Sequence, residues 1–164
     1  MRRRHVLVFV AVLLFSAGCD QATKQLAVER LAGAAPISLA GDAVRFELAA
    51  NPGGFLSLGA RLPEAARRVV FVVAVPVCLL VVCALALRSR SLSAPAAAGL
   101  GLVAGGGIGN WLDRVLDAGV VTDFVSVGVG GLRTGIFNVA DVAVMAGVAL
   151  LLLARSDDPP APTT

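Results

Sequence analysis

The stretch VVFVVAVPVCLLVVCALAL, Val69 to Leu87, contains no charged residue. A helix needs roughly 20 residues to cross about 30 Å of hydrocarbon, so this run constrains the chain more tightly than any other feature. Pro76 lies inside it. Such a kink is tolerated in a membrane helix when a neighbour satisfies the carbonyl that proline frees. Two further runs read as spans: 94–112, rich in glycine and alanine, and 136–154, with Asp141 near its start. A fourth begins at the N-terminus. Val6 to Ala17 alone has only the length of a signal-peptide core, but extended through Asp20 and Lys24 it becomes a span over about 6–28. Composition agrees with a bilayer, since 57% of residues are hydrophobic and 15% charged, against about 45–50% and about 25% in soluble domains.

The N-terminus admits a second reading. MRRR, an apolar run and the small residues before Cys19 resemble a lipoprotein signal, which would make the mature chain a lipid-anchored protein starting at Cys19. Three later spans argue against it. The position three residues before Cys19 is Ser16, where such a signal usually carries leucine. Retention of the first helix is therefore expected.

Arginines set the orientation. Arg2, Arg3 and Arg4 precede the first span, Arg88 and Arg90 join the second to the third, and Arg155 follows the fourth. The positive-inside rule places these on the cytoplasmic side, with both termini inside. Arg67 and Arg68 count against this, but they end a long loop, where the rule weighs charge less. The expected fold is an all-α membrane protein, a single four-helix domain over 1–155, with outer loops at about 29–68 and 113–135. Residues 156–164, acidic and proline-rich, read as a disordered cytoplasmic tail. The outer loops carry strand signals. Val44 to Leu48 alternate apolar and polar residues before an NPGG turn, and VTDFVSVGVGG reads as short strands around glycine turns.

The ionisable residues converge on one level. At 1.5 Å per residue, Asp20 lies about 22 Å along a helix begun at His5, and Asp141 roughly 7 Å below the start of the fourth span. Asp113 ends the third span and Asp123 lies in the loop after it. Four aspartates thus gather at the outer leaflet, where a carboxylate within a span normally faces protein and serves a function. Asp20 and Lys24 are spaced i,i+4; Asn110, Asp113 and Arg114 share a face; Asn138 and Asp141 are i,i+3. The glycines of AGGGIGN read as helix-packing residues that let a neighbour approach Asn110.

Elimination narrows the chemistry. The single histidine, His5, falls on the cytoplasmic side, which excludes a histidine-based triad there. Cys19, Cys78 and Cys83 are scattered through apolar segments and form no zinc-like cluster. Ser57 and Ser126 have no base near them in sequence. Two aspartates sharing one proton can hydrolyse a peptide without metal or cofactor, and a low-dielectric membrane edge disfavours the doubly ionised pair. A proton-coupled transporter would instead hold its carboxylates near the bilayer midplane.

The blocks DQATK at 20–24, NPGGF at 51–55, GGGIGNWLDRV at 105–115, VTDF at 121–124 and FNVAD at 137–141 make the chain resemble the lipoprotein signal peptidases, or signal peptidase II, along nearly its whole length. The resemblance implies four transmembrane helices with a small extracytoplasmic β cradle, in a bacterial cytoplasmic (inner) membrane. It implies an aspartic endopeptidase that cuts a prolipoprotein before a diacylglyceryl-modified cysteine. Its partners would be those precursors and membrane lipids, with no nucleic acid, metal or cofactor. By the same match the catalytic dyad is Asp123 and Asp141. Asp20, Lys24, Asn51, Asn110, Asp113, Arg114 and Asn138 are supporting residues around substrate and dyad. Two positions depart from the pattern: Gly54 stands where alanine is usual, and Trp111 where a smaller aliphatic is common.

Overall fold

The computed structural model describes residues 2–54, 59–89 and 92–156. Phe55, Ser57, Arg90 and the tail from Asp157 onward, to which expectations were attached above, lie outside the described residues. The elements run in the order α1 (Arg2–Leu31), β1 (Ile37–Leu39), β2 (Val44–Asn51), α2 (Glu64–Arg68), a π-helical segment (Val69–Ala74), α3 (Val75–Arg88), α4 (Ala94–Leu116), β3 (Val121–Val129), β4 (Leu132–Arg133) and α5 (Val139–Ser156). The protein is mostly helical with one small antiparallel sheet of order β1-β2-β3-β4. Two of its helical stretches, Arg4–Leu31 and Glu64–Arg88, are long and apolar enough to cross a membrane by length and composition, and Val139–Ala154 is a shorter apolar helix.

Glycine lets α4 pack closely on two sides. Gly101 and Gly105 face the backbone of α1, where an added Cβ would meet Phe9 O at 2.8 Å and Leu13 O at 2.6 Å. Gly109, four residues on, faces the Asp20 carboxylate. On the other side a Cβ added at Gly106 would meet Ala140 O at 2.5 Å, and Gly99 and Gly147 lie back to back between α4 and α5. Small residues spaced by four are how membrane helices bring backbones together when lipid offers no hydrophobic driving force. The packing role read from AGGGIGN is what the structure shows.

Few side chains of α3 are covered. Only Ala86 is buried, whereas Val77, Leu80, Val81 and Leu85 are exposed, a row suited to hydrocarbon and costly in water. Pro76 cannot donate to the Val72 carbonyl four residues back. The Trp111 indole of α4 donates to that oxygen instead, at 3.3 Å. The chain upstream relaxes into the π-helical segment, a local register change of the kind found at kinks.

The helix ends differ from the expected spans. α1 runs three residues further, to Leu31, and α4 four further, to Leu116, where Asp113 and Arg114 are buried among protein. α5 starts at Val139, not 136. Asn138 caps it: its side-chain oxygen accepts from Asp141 N–H at 2.9 Å, and Asp141 Oδ2 accepts from Asn138 N–H at 3.3 Å. This reciprocal box fixes the first turn, so Asp141 is the third helical residue rather than the sixth of a span. The helix then continues to Ser156.

The strands expected near 44–48 and after Val121 are present, although β3 is nine residues long rather than short. β2 pairs with β3 through Phe46↔Val125 and then Ala49↔Asp123, so β2 holds one extra residue between those pairs. Such a bulge re-aims the side chains beyond it. Directly paired residues share a face, and the bulge therefore puts Asn51, two residues past Ala49, on the same face as Asp123. Without it Asn51 would point away. Phe124, Ala27 and Leu31 seat the sheet on the end of α1.

Candidate active site

Nine polar residues singled out from the sequence meet where the ends of α1, α4 and α5 abut β2 and β3. Asp20, Lys24, Asn51, Asp113, Arg114, Asp123 and Asn138 are all buried. Their contacts form one continuous network.

Lys24 is its hub. Its Nζ contacts Asp20 Oδ2 at 2.7 Å and Asp113 Oδ2 at 2.9 Å, and it donates to Asn110 Oδ1 at 3.0 Å. All three ammonium protons are thereby used. The i,i+4 spacing of Asp20 and Lys24 supplies one contact, and α4 supplies the others. Asp20 Oδ1 accepts from Ala140 N–H of α5 at 2.9 Å, which ties the first helix to the last. Removing one member of a buried ion pair typically costs about 3–5 kcal/mol. Lys24→Met would leave two buried carboxylates without their shared cation.

Asparagines carry the network on to the remaining carboxylates. Asn110 Oδ1 also accepts from Asn138 Nδ2 at 3.0 Å, and Asn110 Nδ2 donates to Asp141 Oδ1 at 3.0 Å. Asn138 Nδ2 donates to Asp123 Oδ1 at 2.7 Å, and Asn51 Nδ2 donates to Asp123 Oδ2 at 2.8 Å. The Asn138 amide nitrogen thus serves Asp123, while its oxygen holds the Asp141 backbone. Asn51 is itself set by its turn, donating to Gly54 O at 2.8 Å and accepting from Gly53 N–H at 3.0 Å. Asp141 is only partly buried, whereas Asp123 is 2% exposed. The two charges are close enough to act on each other. Burial pushes the Asp123 carboxyl up to about 6; the Asn51 and Asn138 hydrogen bonds oppose that shift and the nearby Asp141 charge adds to it.

Arg114 stands beside this group. Its guanidinium donates to Asn110 O at 2.9 Å and lies 4.7 Å from the centroid of the Phe71 ring, within cation–π range. Its Nε is buried without a hydrogen-bond partner among the described residues. The site sets four carboxylates against two cations, Lys24 and Arg114.

Gln21 was not singled out from the sequence. Its Nε2 donates to Asp113 Oδ1 at 2.8 Å and to Gly109 O at 3.2 Å, crossing from α1 to α4. Asp113 Oδ2 also accepts the Thr122 N–H at 3.0 Å, so Asp113 joins both helices to β3. His5 lies outside the network, with Nε2 donating to Ser89 O at 3.1 Å. Among the described residues no group of three or more His, Cys, Asp or Glu could hold a metal ion.

Two solved structures described as bacterial membrane enzymes share this fold. One superimposes with a TM-score of 0.78 at 22% identity, covering 92% of this chain and 94% of its own. The other gives 0.75 at 20%, covering 95% and 94%. A family model described as signal peptidase (SPase) II matches residues 10–156. The lipoprotein signal peptidase of Streptomyces coelicolor is 33% identical over 156 residues, 92% of this chain and 71% of the relative. That of Rhodococcus jostii is 38% identical over 156 residues, 92% and 73%, and that of Mycobacterium tuberculosis 34% over 157 residues, 93% and 71%. The chain belongs to the signal peptidase II family. Its members are membrane proteases that remove signal peptides from prolipoproteins.

Proposed function

We propose that this chain is one four-span domain over 1–155, with both termini cytoplasmic and its site at the outer leaflet, and that it cuts diacylglyceryl-modified prolipoproteins before the modified cysteine with Asp123 and Asp141 as the dyad. One observation carries the reading: Asn138 donates to the Asp123 carboxylate and caps the helix that presents Asp141. Two acids from separate elements are thereby held against one amide. Uncharged amides surround Asp123, and the cations of the site bond elsewhere.

The chemistry follows from a pair that shares one proton. Burial favours that proton on Asp123. Asp141, more open, takes a proton from water as the water oxygen attacks the scissile carbonyl. Asp123 gives its proton to the carbonyl oxygen, and a tetrahedral diol forms. Asp141 then protonates the leaving nitrogen, the C–N bond breaks, and Asp123 recovers its proton as the new carboxylic acid closes. One water is consumed and the pair returns to its starting state. Asp20, Lys24, Asn110, Asp113 and Asn138 hold the geometry, Asn51 orients Asp123, and Arg114, whose Nε has no partner among the described residues, places a cation beside the group. The exposed apolar face of α3 and the length of α1, about 45 Å at 1.5 Å per residue, support residence across the bilayer.

The test is direct. Purified protein in lipid, given a diacylglyceryl-modified preprolipoprotein, should release the signal peptide and leave a product beginning at the modified cysteine. An intact precursor after prolonged incubation with well-folded enzyme would contradict the assignment.

A further inference from the structure

Phe71 lies in the π-helical segment, outside every motif discussed above, yet three parts of the molecule close on its ring. The Arg114 guanidinium lies over one side, 4.7 Å from the centroid. Gly54 and Gly59 approach the ring edge: a Cβ at Gly54 would meet Phe71 Cε1 at 2.8 Å, and one at Gly59 would meet Cζ at 3.0 Å. Gly59 N–H also donates to Gly53 O at 2.7 Å, tying these two glycines together beside the ring. Gly54 has φ +75°, a conformation that glycine adopts without strain. The neighbouring Val72 carbonyl is held by Trp111. α4 therefore grips the π-helical segment twice, through Trp111 and Arg114, one helical turn apart.

The clamped loop begins at Asn51. The Asn51 amide spans Gly54 O and Asp123 Oδ2, both at 2.8 Å. Moving Gly54 moves that amide. The cleft beside the ring, bounded in part by Pro52, Phe71, Val72 and Val120, has a volume of about 40 Å³.

We propose that Phe71 is a positioning residue for the peptidase reaction: pinned by Arg114, its ring fixes the backbone at Gly53 and Gly54 and so holds the Asn51 amide on Asp123. This rests on Asp123 being a member of the dyad. It also accounts for glycine at position 54, because an alanine methyl would occupy the space of the ring edge.

The test is a double-mutant cycle on cleavage of the diacylglyceryl-modified precursor, with Asp123→Asn run alongside. Phe71→Leu and Phe71→Met keep apolar bulk but lose the flat ring; Gly54→Ala displaces the ring from the other side. Each should lower kcat about tenfold with KM changed less than twofold. In an Asn51→Ala background each should cost less than a further twofold, because residues acting through one contact are not additive. Losses that multiply, a KM effect without a kcat effect, or full activity in Asn51→Ala would overturn the clamp. An active Asp123→Asn would instead remove the dyad reading beneath it. A dead Asp123→Asn with multiplying losses would leave the dyad standing and reject only Phe71.

Discussion

Two aspartates, Asp42 and Asp123, sit in one small sheet and have opposite surroundings. Asp42 lies in the turn before β2, its side chain 44% exposed. It accepts from Arg45 at 2.6 and 3.1 Å, from Arg133 at 2.7 Å and from Ser38 at 2.7 Å; Arg133 also donates to the Asp42 carbonyl. The Arg45 and Ser38 bonds hold its carboxyl down at about 2. Asp123 accepts bonds of similar length, but both donors are neutral amides and the group is buried, which pushes it up to about 6. Asp42 accepts four such bonds and Asp123 two, yet both Asp123 bonds also lower its carboxyl, so their number does not set the sign. Donor charge and water do. Asp42 is ionised at neutral pH and pins the β1–β2 turn to the β3–β4 hairpin. Asp123 sits where a proton can come and go near neutrality, which suits acid–base work.

The sharpest way to break this contrast is to remove the proton from one side of it. Asp123→Asn and Asp141→Asn should each lower kcat by roughly a thousandfold or more, measured on the modified precursor. The double variant should be little worse, since groups acting as one unit are strongly non-additive. Wild-type turnover in either single variant would show that the Asp123–Asp141 pair is not the catalyst.

A smaller effect should come from the amide that sets the Asp123 environment. The Asn51 bond lowers the Asp123 carboxyl, so Asn51→Ala should raise it further. The limb of the pH–rate profile that belongs to Asp123, expected near pH 6, should move to higher pH while kcat falls about tenfold. A limb that stays in place or moves down would mean that Asn51 acts elsewhere.

Much of this site was legible in the sequence, and the reasons are physical. Asp20 and Lys24 are one helical turn apart, so their pairing follows from α-helical geometry alone. The apolar runs announced the helices, and the motif blocks named both members of the proposed dyad. What escaped depends on contacts between distant elements. Gln21 bonds Asp113 across 92 positions, and nothing local to Gln21 signals it. The β2 bulge that turns Asn51 toward Asp123 is invisible in the alternation of residues 44–48. The start of α5 was misplaced because Ile136 and Phe137 extend the apolar run. The Asn138–Asp141 spacing, a capping signature, would have located it.

The pH dependence of stability should differ in sign between the two aspartates. For Asp42, held below its ordinary 3.8, the contribution is present above about pH 4 and lost as pH falls toward 2. For Asp123, held above 3.8, folding favours the protonated form, so its burial costs stability as pH rises from about 4 to 6. Thermal unfolding in lipid or detergent should therefore show Asp42→Asn losing the acid-side loss and Asp123→Asn losing the rise-side loss. Cleavage by Asp42→Asn should stay within about twofold of wild type. A tenfold drop would tie the exposed cluster to the chemistry.

The smallest effect is expected beside Asp20. α1 runs unbroken through Cys19, and residues upstream of it, Phe9 and Leu13, pack against α4. Cys19→Ala should leave both mature mass and cleavage unchanged. A lipid-bearing mature chain beginning at Cys19 would remove the helix on which half of the network depends.

The most direct measurement is a carbon-13 titration of the aspartate carboxyls in the lipid-embedded protein, assigned by loss of signal in Asp42→Asn and Asp123→Asn. The account predicts a resonance for Asp123 that titrates near pH 6 and one for Asp42 that titrates near pH 2. An Asp123 resonance that titrates below pH 4, alongside ordinary exposed carboxylates, would contradict it.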